Sequence, residues 1–165
     1  MKSLKIKGIS FDDGIISLYN ERVVLFPPQI IGLLSSIYGE GAEPLLVFLG
    51  KKLGRTMIEK WDDEVKPKDL EQITELFTDI FSATGWGQLI ARDVSNDQIV
   101  FQLLNNVSAS LDIPSKFIDY FITGYIQGFS EYVYYKARVE ETLCMNDDDS
   151  LDFCQWVVQK VEQEQ

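Results

Sequence analysis

The sequence predicts an α+β fold: N-terminal strands, a helical block, then a β-β-α-β-β run whose antiparallel sheet packs against helices. Three observations carry that expectation. Residues 88–94 and 98–105 are strand-like runs around Ser95-Asn96-Asp97, and 137–144 and 151–161 alternate apolar and polar positions as half-buried strands do. Residues 117–134 place apolar side chains in two stripes at helical spacing, Phe117, Phe121 and Tyr125, then Ile118, Ile122, Ile126, Phe129 and Val133. Two stripes are too wide for a helix covering a core with one face, so this helix is expected to be buried on two sides. Helical periodicity fills most of the chain between Pro27-Pro28 and Gly85.

Taken in order, residues 4–10 and 15–20 flank Asp13-Gly14, a hairpin signal, and 22–26 extend or follow that pair. Pro27-Pro28 suits a helix start, because proline lacks only an N–H that the first turn leaves unpaired anyway. The first helix, QIIGLLSSIYG, ends near Gly39 or Gly41. A second starts near Glu43-Pro44 and continues to about Trp61, with Leu45, Leu46, Phe48, Leu49, Leu53, Met57 and Ile58 on a broad apolar face. Trp61-Asp62-Asp63-Glu64 reads as its polar exit. The third helix has Asp69 as its cap, Gln72 three residues on, and a stripe of Leu70, Ile73, Leu76, Phe77, Ile80 and Phe81. It stops at Thr84-Gly85-Trp86-Gly87, where the two glycines suggest a tight passage that positions Trp86. The acidic loop MNDDDS separates the last two strands, and the tail EQEQ is expected to fray. No repeat, linker or composition shift divides the chain, so 1–165 reads as one domain.

Composition narrows the function. A net charge of −11 argues against nucleic acid, which needs clustered Lys and Arg, and against an anionic membrane surface. No histidine is present, which removes the commonest general base and the usual haem and zinc ligand together. No dinucleotide fingerprint or P-loop appears either, and Glu131, Glu140 and Glu141 read as solvated surface charges, so catalysis is not expected. The longest uncharged run, Val23 to Gly39, is broken by prolines, and 117–134 carries Asp119, Gln127 and Glu131, so no membrane span is expected. Two cysteines are too few for a secreted disulfide scaffold, and MKSLKIKGIS lacks a signal-peptide core; the expected location is cytoplasmic.

Gly124 and Gly128 stand four apart in the central helix, as Gly50 and Gly54 do in the second. Such a lane lets another backbone or a ligand approach closely. It serves tight packing of the helix on a sheet, or it borders an apolar pocket. The pocket reading names Trp86, Phe121, Gly124, Tyr125, Gly128 and Phe129 as ligand-binding, with Phe48 and Phe101 beside them. For Cys144 and Cys154 the residues leave three states open: two ordinary thiols, a metal site, or a disulfide.

The helix FITGYIQGF, then Glu141-Thr142-Leu143-Cys144 as Glu-x-x-Cys, then Cys154-Gln155-Trp156-Val157, resembles the C-terminal half of the 4-vinyl reductase domain family. Gly124-Tyr125 and Gly128 match its glycine pattern, while Leu49-Gly50, Leu53-Gly54 and Gly85-Trp86-Gly87 fit more weakly. The resemblance implies a fold like the trafficking-complex (TRAPP) subunits, a homodimer, and a cavity holding a hydrocarbon, aromatic or acyl chain without catalysis, as a sensor or carrier acting in trans. The other reading it implies is a dimeric assembly subunit, and more remotely a reductase accessory protein. In the family's sensor domains three cysteines and a glutamate hold zinc. Here the first cysteine position falls on Asp119, so a zinc site would use Asp119, Cys144 and Cys154, with the fourth ligand unassigned and Asp97 in the right region. The loop between the two cysteines is longer than the family's and contains Asp147, Asp148 and Asp149.

Overall fold

Asp13 and Gly14 both take positive φ, 42° and 81°, the backbone that a tight hairpin turn demands. That turn joins β1 (Ile9–Asp12) to β2 (Ile15–Leu18), and β3 (Glu21–Val23) completes a three-stranded antiparallel sheet. The computed structural model describes residues 9–18 and 21–161. Residues 4–8 and 19–20 of the first expected strands, and the tail 162–165, lie outside the described residues.

The helical block is α1 (Gln29–Tyr38), a 3-10 turn (Gly39–Gly41), α2 (Ala42–Val65) and α3 (Leu70–Ala83). Pro28 caps α1, as its fixed φ favours. Asp69 caps α3 by accepting from the Gln72 N–H at 2.9 Å, while Gln72 reaches back to accept from the Lys68 N–H at 3.1 Å. The second helix runs past the expected polar exit. Trp61 is buried rather than terminal, and its indole N–H donates to the Leu18 carbonyl at 3.3 Å, which ties the small sheet to α2. Gln29–Asp63 is long and apolar enough by composition to cross a membrane, but the turn at Gly39–Gly41 interrupts it.

The second sheet contains β4 (Gln88–Val94), β5 (Gln98–Leu104), β6 (Ala137–Leu143) and β7 (Phe153–Lys160), all antiparallel in the order β4-β5-β7-β6. Between β5 and β6 the chain forms a 3-10 turn (Val107–Ser110) and then α4 (Ser115–Tyr134). One sheet face is core: Leu89, Ile99, Phe101, Leu103, Cys154, Trp156 and Val158 are all buried. The other face is half-buried and mixed, with Val100 opposite Val157, Leu104 opposite Phe153, and between them Gln102 donating to Gln155 at 2.9 Å across β5 and β7. The alternation seen in the sequence is therefore the alternation of the sheet's two faces.

α4 lies between this sheet and α2, buried on two sides as its stripes require. On the sheet side, the Trp156 indole N–H donates to Thr123 Oγ1 at 2.9 Å. On the α2 side, the glycine lane is a helix–helix contact. A Cβ added to Gly124 would overlap the Val47 carbonyl, and one added to Gly128 would overlap that of Lys51. Gly50 and Gly54 return the contact against the carbonyls of Phe121 and Tyr125. The helices run parallel, with Val47 beside Gly124, Lys51 beside Gly128 and Asp62 bonded to Tyr132. The lane therefore faces neither a sheet nor a ligand; it is filled by α2.

Overpacking a filled interface costs about 1–3 kcal/mol. Gly128→Ala should therefore lower stability by at least that much in chemical denaturation, because the Lys51 carbonyl it meets is backbone and cannot swing aside. Gly41→Ala is the control: φ is −67° and nothing lies within 4 Å of the added carbon, so stability should hold or rise slightly. Equal effects of the two substitutions would show that the lane is loosely packed.

Candidate functional site

Cys144 follows β6 and Cys154 sits on the neighbouring β7, so the two meet across the strand pair and are joined in a disulfide. Of the three states the residues left open, this is the one the structure holds. Around the pair lie two carboxylates. Asp119 comes from α4 and is buried; Glu141 comes from β6 and is half-buried. One ligand atom from each of Asp119, Glu141, Cys144 and Cys154 lies within 4.8 Å of all the others. The three expected metal residues are thus brought together, and the fourth is Glu141.

Asp97 is not that fourth residue. It occupies the β4–β5 turn, where its carbonyl accepts from the Lys160 N–H at 2.9 Å, at the opposite end of β7 from Cys154. Nor is Glu141 a solvated charge: its Oε1 is buried and has no hydrogen-bond partner among the described residues. Strict alternation hides it. Residues 141 and 144 are three apart, which in a regular strand puts them on opposite faces. β6 pairs Glu141 with Trp156 and Leu143 with Gln155, so Thr142 is an extra residue, a bulge. That one-residue shift turns Glu141 and Cys144 to the same side.

Two amides complete the surroundings. Asn106 accepts from the Ser108 N–H at 3.0 Å, which fixes its orientation, and donates Nδ2–H to Asp119 Oδ1 at 3.1 Å and to Cys154 Sγ at 3.5 Å. Asn146 donates to Cys144 Sγ at 3.3 Å and to Ser108 Oγ at 3.0 Å. Each sulfur thus has its own N–H donor. Burial pushes the Glu141 carboxyl up to about 8, helped by the nearby negative charges of Asp119 and Asp147. Asp119 is pushed up to about 6, again by burial, against the lowering effect of the Asn106 bond. An open cleft of about 250 Å³ leads from Glu141 and Cys144 to solvent and is lined by Asp147 and Asp148.

The zinc ion that the family resemblance implies can be tested against this donor set. With the sulfurs reduced, the cluster offers two thiolates and two carboxylates, one with an orphaned buried oxygen. Tetrahedral zinc holds its ligands about 2.0–2.3 Å away, and hence roughly 3.3–3.8 Å from one another. The set fits with small side-chain shifts. A bound zinc would clamp α4 to β6 and β7 and offset half of the negative charge that two thiolates and two carboxylates bring together.

The expected ligand residues divide. Trp86 is half-buried and lies against Phe121, ring centroids 4.8 Å apart. Gly87 takes φ 142° and has no room for a side chain beside Leu104, which explains the glycine after Trp86. Tyr125, Phe129 and Phe101 join a continuous aromatic nest through Phe77, which stacks on Phe129 at 4.1 Å and lies 5.7 Å from both Phe101 and Tyr125. Phe81 meets Tyr125 edge-on at 5.3 Å. The nest's buried hydroxyl, on Tyr125, donates to the Met57 sulfur at 3.1 Å, a weak acceptor. The sequence places Phe77, Phe81 and Met57 on apolar helix faces but not among the ligand-binding residues, although Phe77 and Phe81 stand four apart on one stripe. Gly124 and Gly128 face α2 instead of the nest. Phe48 is 55% exposed and borders a surface groove with Lys51, Lys52 and Arg55.

No protein-family model and no curated protein matches the sequence. Solved structures do match in fold. The phenol-responsive sensory domain of the transcription activator PoxR, solved with phenol, has a TM-score of 0.76 at 15% identity, over 96% of this chain and 87% of that one. A vinyl-4-reductase family protein from Methanocaldococcus jannaschii has a TM-score of 0.55 at 21% identity, over 85% of each chain. The fold is the vinyl-4-reductase fold. It extends to trafficking protein particle complex subunit 3 from Naegleria fowleri, solved covalently bound to palmitic acid: TM-score 0.60, 14% identity, 83% of this chain and 92% of that one. Two of these three vinyl-4-reductase-fold structures thus hold a small, largely apolar molecule.

The raised carboxyls set a pH dependence for the metal-free, oxidised protein. A carboxyl whose folded value lies above its unfolded value of about 4.3 binds its proton more tightly when folded. Its contribution to stability is therefore full at low pH and is lost as pH rises toward about 8. The melting temperature should fall between pH 5 and pH 8.5, and Glu141→Gln should flatten that fall. Parallel curves for the two proteins would remove Glu141 as the source.

Proposed function

We propose that this chain binds an apolar small molecule, a hydrocarbon, an aromatic or an acyl chain, without catalysing a reaction on it, as a sensor or carrier acting in trans. The observation that carries the reading is the aromatic nest of Phe77, Phe81, Phe101, Phe121, Tyr125 and Phe129, with Trp86 at its border. Rings offer large contact area with few rotatable bonds, so holding them against an apolar guest costs little conformational entropy. Affinity would come from buried apolar area, at about 25 cal/mol per Å². The Tyr125 hydroxyl, bonded among the described residues to a thioether, a weak acceptor, would prefer an oxygen on the ligand. The shared fold with a phenol-responsive domain and a palmitate-bearing subunit supports the same class of guest.

The test is direct titration of phenol, toluene and a fluorescent long-chain fatty acid, followed by tryptophan fluorescence and native mass spectrometry. At least one class should bind with saturation. Tyr125→Phe should keep the fold, leave toluene binding unchanged and weaken phenol by about 5–10-fold, the worth of one hydrogen bond. Failure of every probe to bind the freshly purified protein would sink the reading.

A second reading, a self-associating assembly subunit, is favoured by a specific surface. Leu33 and Ile37 stand four apart on the outer face of α1, 60% and 71% exposed, and Leu25 and Phe26 before them are 74% and 65% exposed. An apolar row of that kind marks an interaction site. A symmetric homodimer through α1 is the proposed occupant, the commonest soluble assembly. Light scattering at micromolar concentration should report a dimer, and Ile37→Asp a monomer of unchanged helicity. A monomeric parent protein would remove this second reading and leave the first intact.

A further inference from the structure

We propose that Cys144 and Cys154 are a redox gate on a divalent-cation site, in which disulfide and cation are mutually exclusive occupants of the same two sulfurs. The proposal rests on the fit of the reduced cluster to zinc and adds how that site is opened and closed. A sulfur bonded to another sulfur has no thiolate charge to give, so the bridge found here removes two of the four donors at once.

Three features indicate that the cluster is built for the reduced state as well. Each sulfur receives an amide N–H, from Asn106 and from Asn146, and such bonds stabilise a thiolate far more than a disulfide sulfur, which is a poor acceptor. Glu141 contributes a ligand atom to the same cluster and has a buried oxygen without a hydrogen-bond partner among the described residues. A group left in that condition costs free energy unless something binds it. Finally, the cleft opens the cluster to solvent between Asp147 and Asp148, so a small oxidant and a cation can both reach it, the cation drawn by negative charge.

The chemistry balances with a peroxide as oxidant and a dithiol as reductant. In the loaded state two thiolates hold the cation with Asp119 and Glu141. Hydrogen peroxide takes two electrons from the thiolates; the S–S bond forms, the O–O bond breaks, two protons from solvent complete two waters, and the cation leaves. In reverse, an external dithiol gives two electrons to the disulfide and becomes a disulfide itself. Both cysteine thiols then lose their protons as the cation binds. The cation is thiophilic and divalent; zinc fits, and cobalt is its spectroscopic substitute.

The experiment uses the full chain, reduced with a phosphine, freed of reductant and titrated with cobalt(II) without oxygen. One cobalt per chain should bind, with a thiolate-to-cobalt absorption band and two thiols counted after denaturation. One equivalent of peroxide should release the cobalt and bring the thiol count to zero, and the oxidised protein should bind it roughly 100-fold more weakly or worse. Glu141→Gln should form the same disulfide while its reduced form binds cobalt about 10–100-fold more weakly. Circular dichroism of each form establishes that the fold persists. No cobalt uptake by the folded, reduced protein would overturn both the cation site and the gate. Equal affinity in both redox states, or peroxide that leaves cobalt bound with both thiols intact, would overturn the gate and leave the cation site standing.

Discussion

The close contact of α2 with α4 is the constraint on which the rest of this structure depends. Four glycines, two on each helix, let the backbones meet with carbonyl oxygens where Cβ atoms would otherwise stand. Glycine inside a helix costs about 1 kcal/mol relative to alanine, so four such positions are retained against propensity. What they provide is proximity: dispersion and hydrophobic contact along the length of α4, whose other face then has to meet the sheet. From that placement follow the two chemical features of the molecule. Phe121, Tyr125 and Phe129 on α4 are carried into the aromatic nest, and Asp119, two residues before Phe121, is carried to the cysteines.

The cluster at Asp119 and the nest at Tyr125 occupy one helix, six residues apart, on the face of the sheet that α4 covers. A guest in the nest and a cation in the cluster would therefore act on the same rigid element. Between the two positions α4 is buried at Phe121, Ile122 and Gly124, with the hydroxyl of Thr123 bonded to the sheet. Rotation of α4 is resisted by the glycine interlock on one side and the Trp156–Thr123 bond on the other.

Charge is distributed to match. The chain is strongly acidic, yet Lys51, Lys52 and Arg55 gather on the outer turn of α2, where Lys51 pairs with Glu131 at 2.7 Å and Arg55 lies over the Tyr132 ring. These exposed pairs add little stability. Lys51 and Arg55 stand at the α2–α4 seam, where Arg55 also donates to the Glu131 carbonyl at 3.2 Å. The acidic excess is concentrated elsewhere, in part at the cleft beside the cysteines.

The sequence by itself determined the elements and their order. The Asp13-Gly14 turn, the Pro28 start, the Asp69 cap and the alternation of 88–94, 98–105, 137–144 and 151–161 are local signals, and local signals survive folding when neighbouring positions agree with them. It also determined that the central helix is buried on two sides, and that Asp119, Cys144 and Cys154 belong together, the last through resemblance rather than spacing. Tertiary structure decided the rest. A four-residue glycine spacing permits close approach but does not name what approaches, and only the packing made it α2. Nothing in Glu-x-x-Cys announces that Thr142 bulges, because a bulge is set by the register of β6 on β7, a pairing between segments that composition cannot see. The same limit applies to Trp61 and Phe48: both sit on one apolar helix, but which is core and which is surface depends on where β2 and α4 come to rest against it.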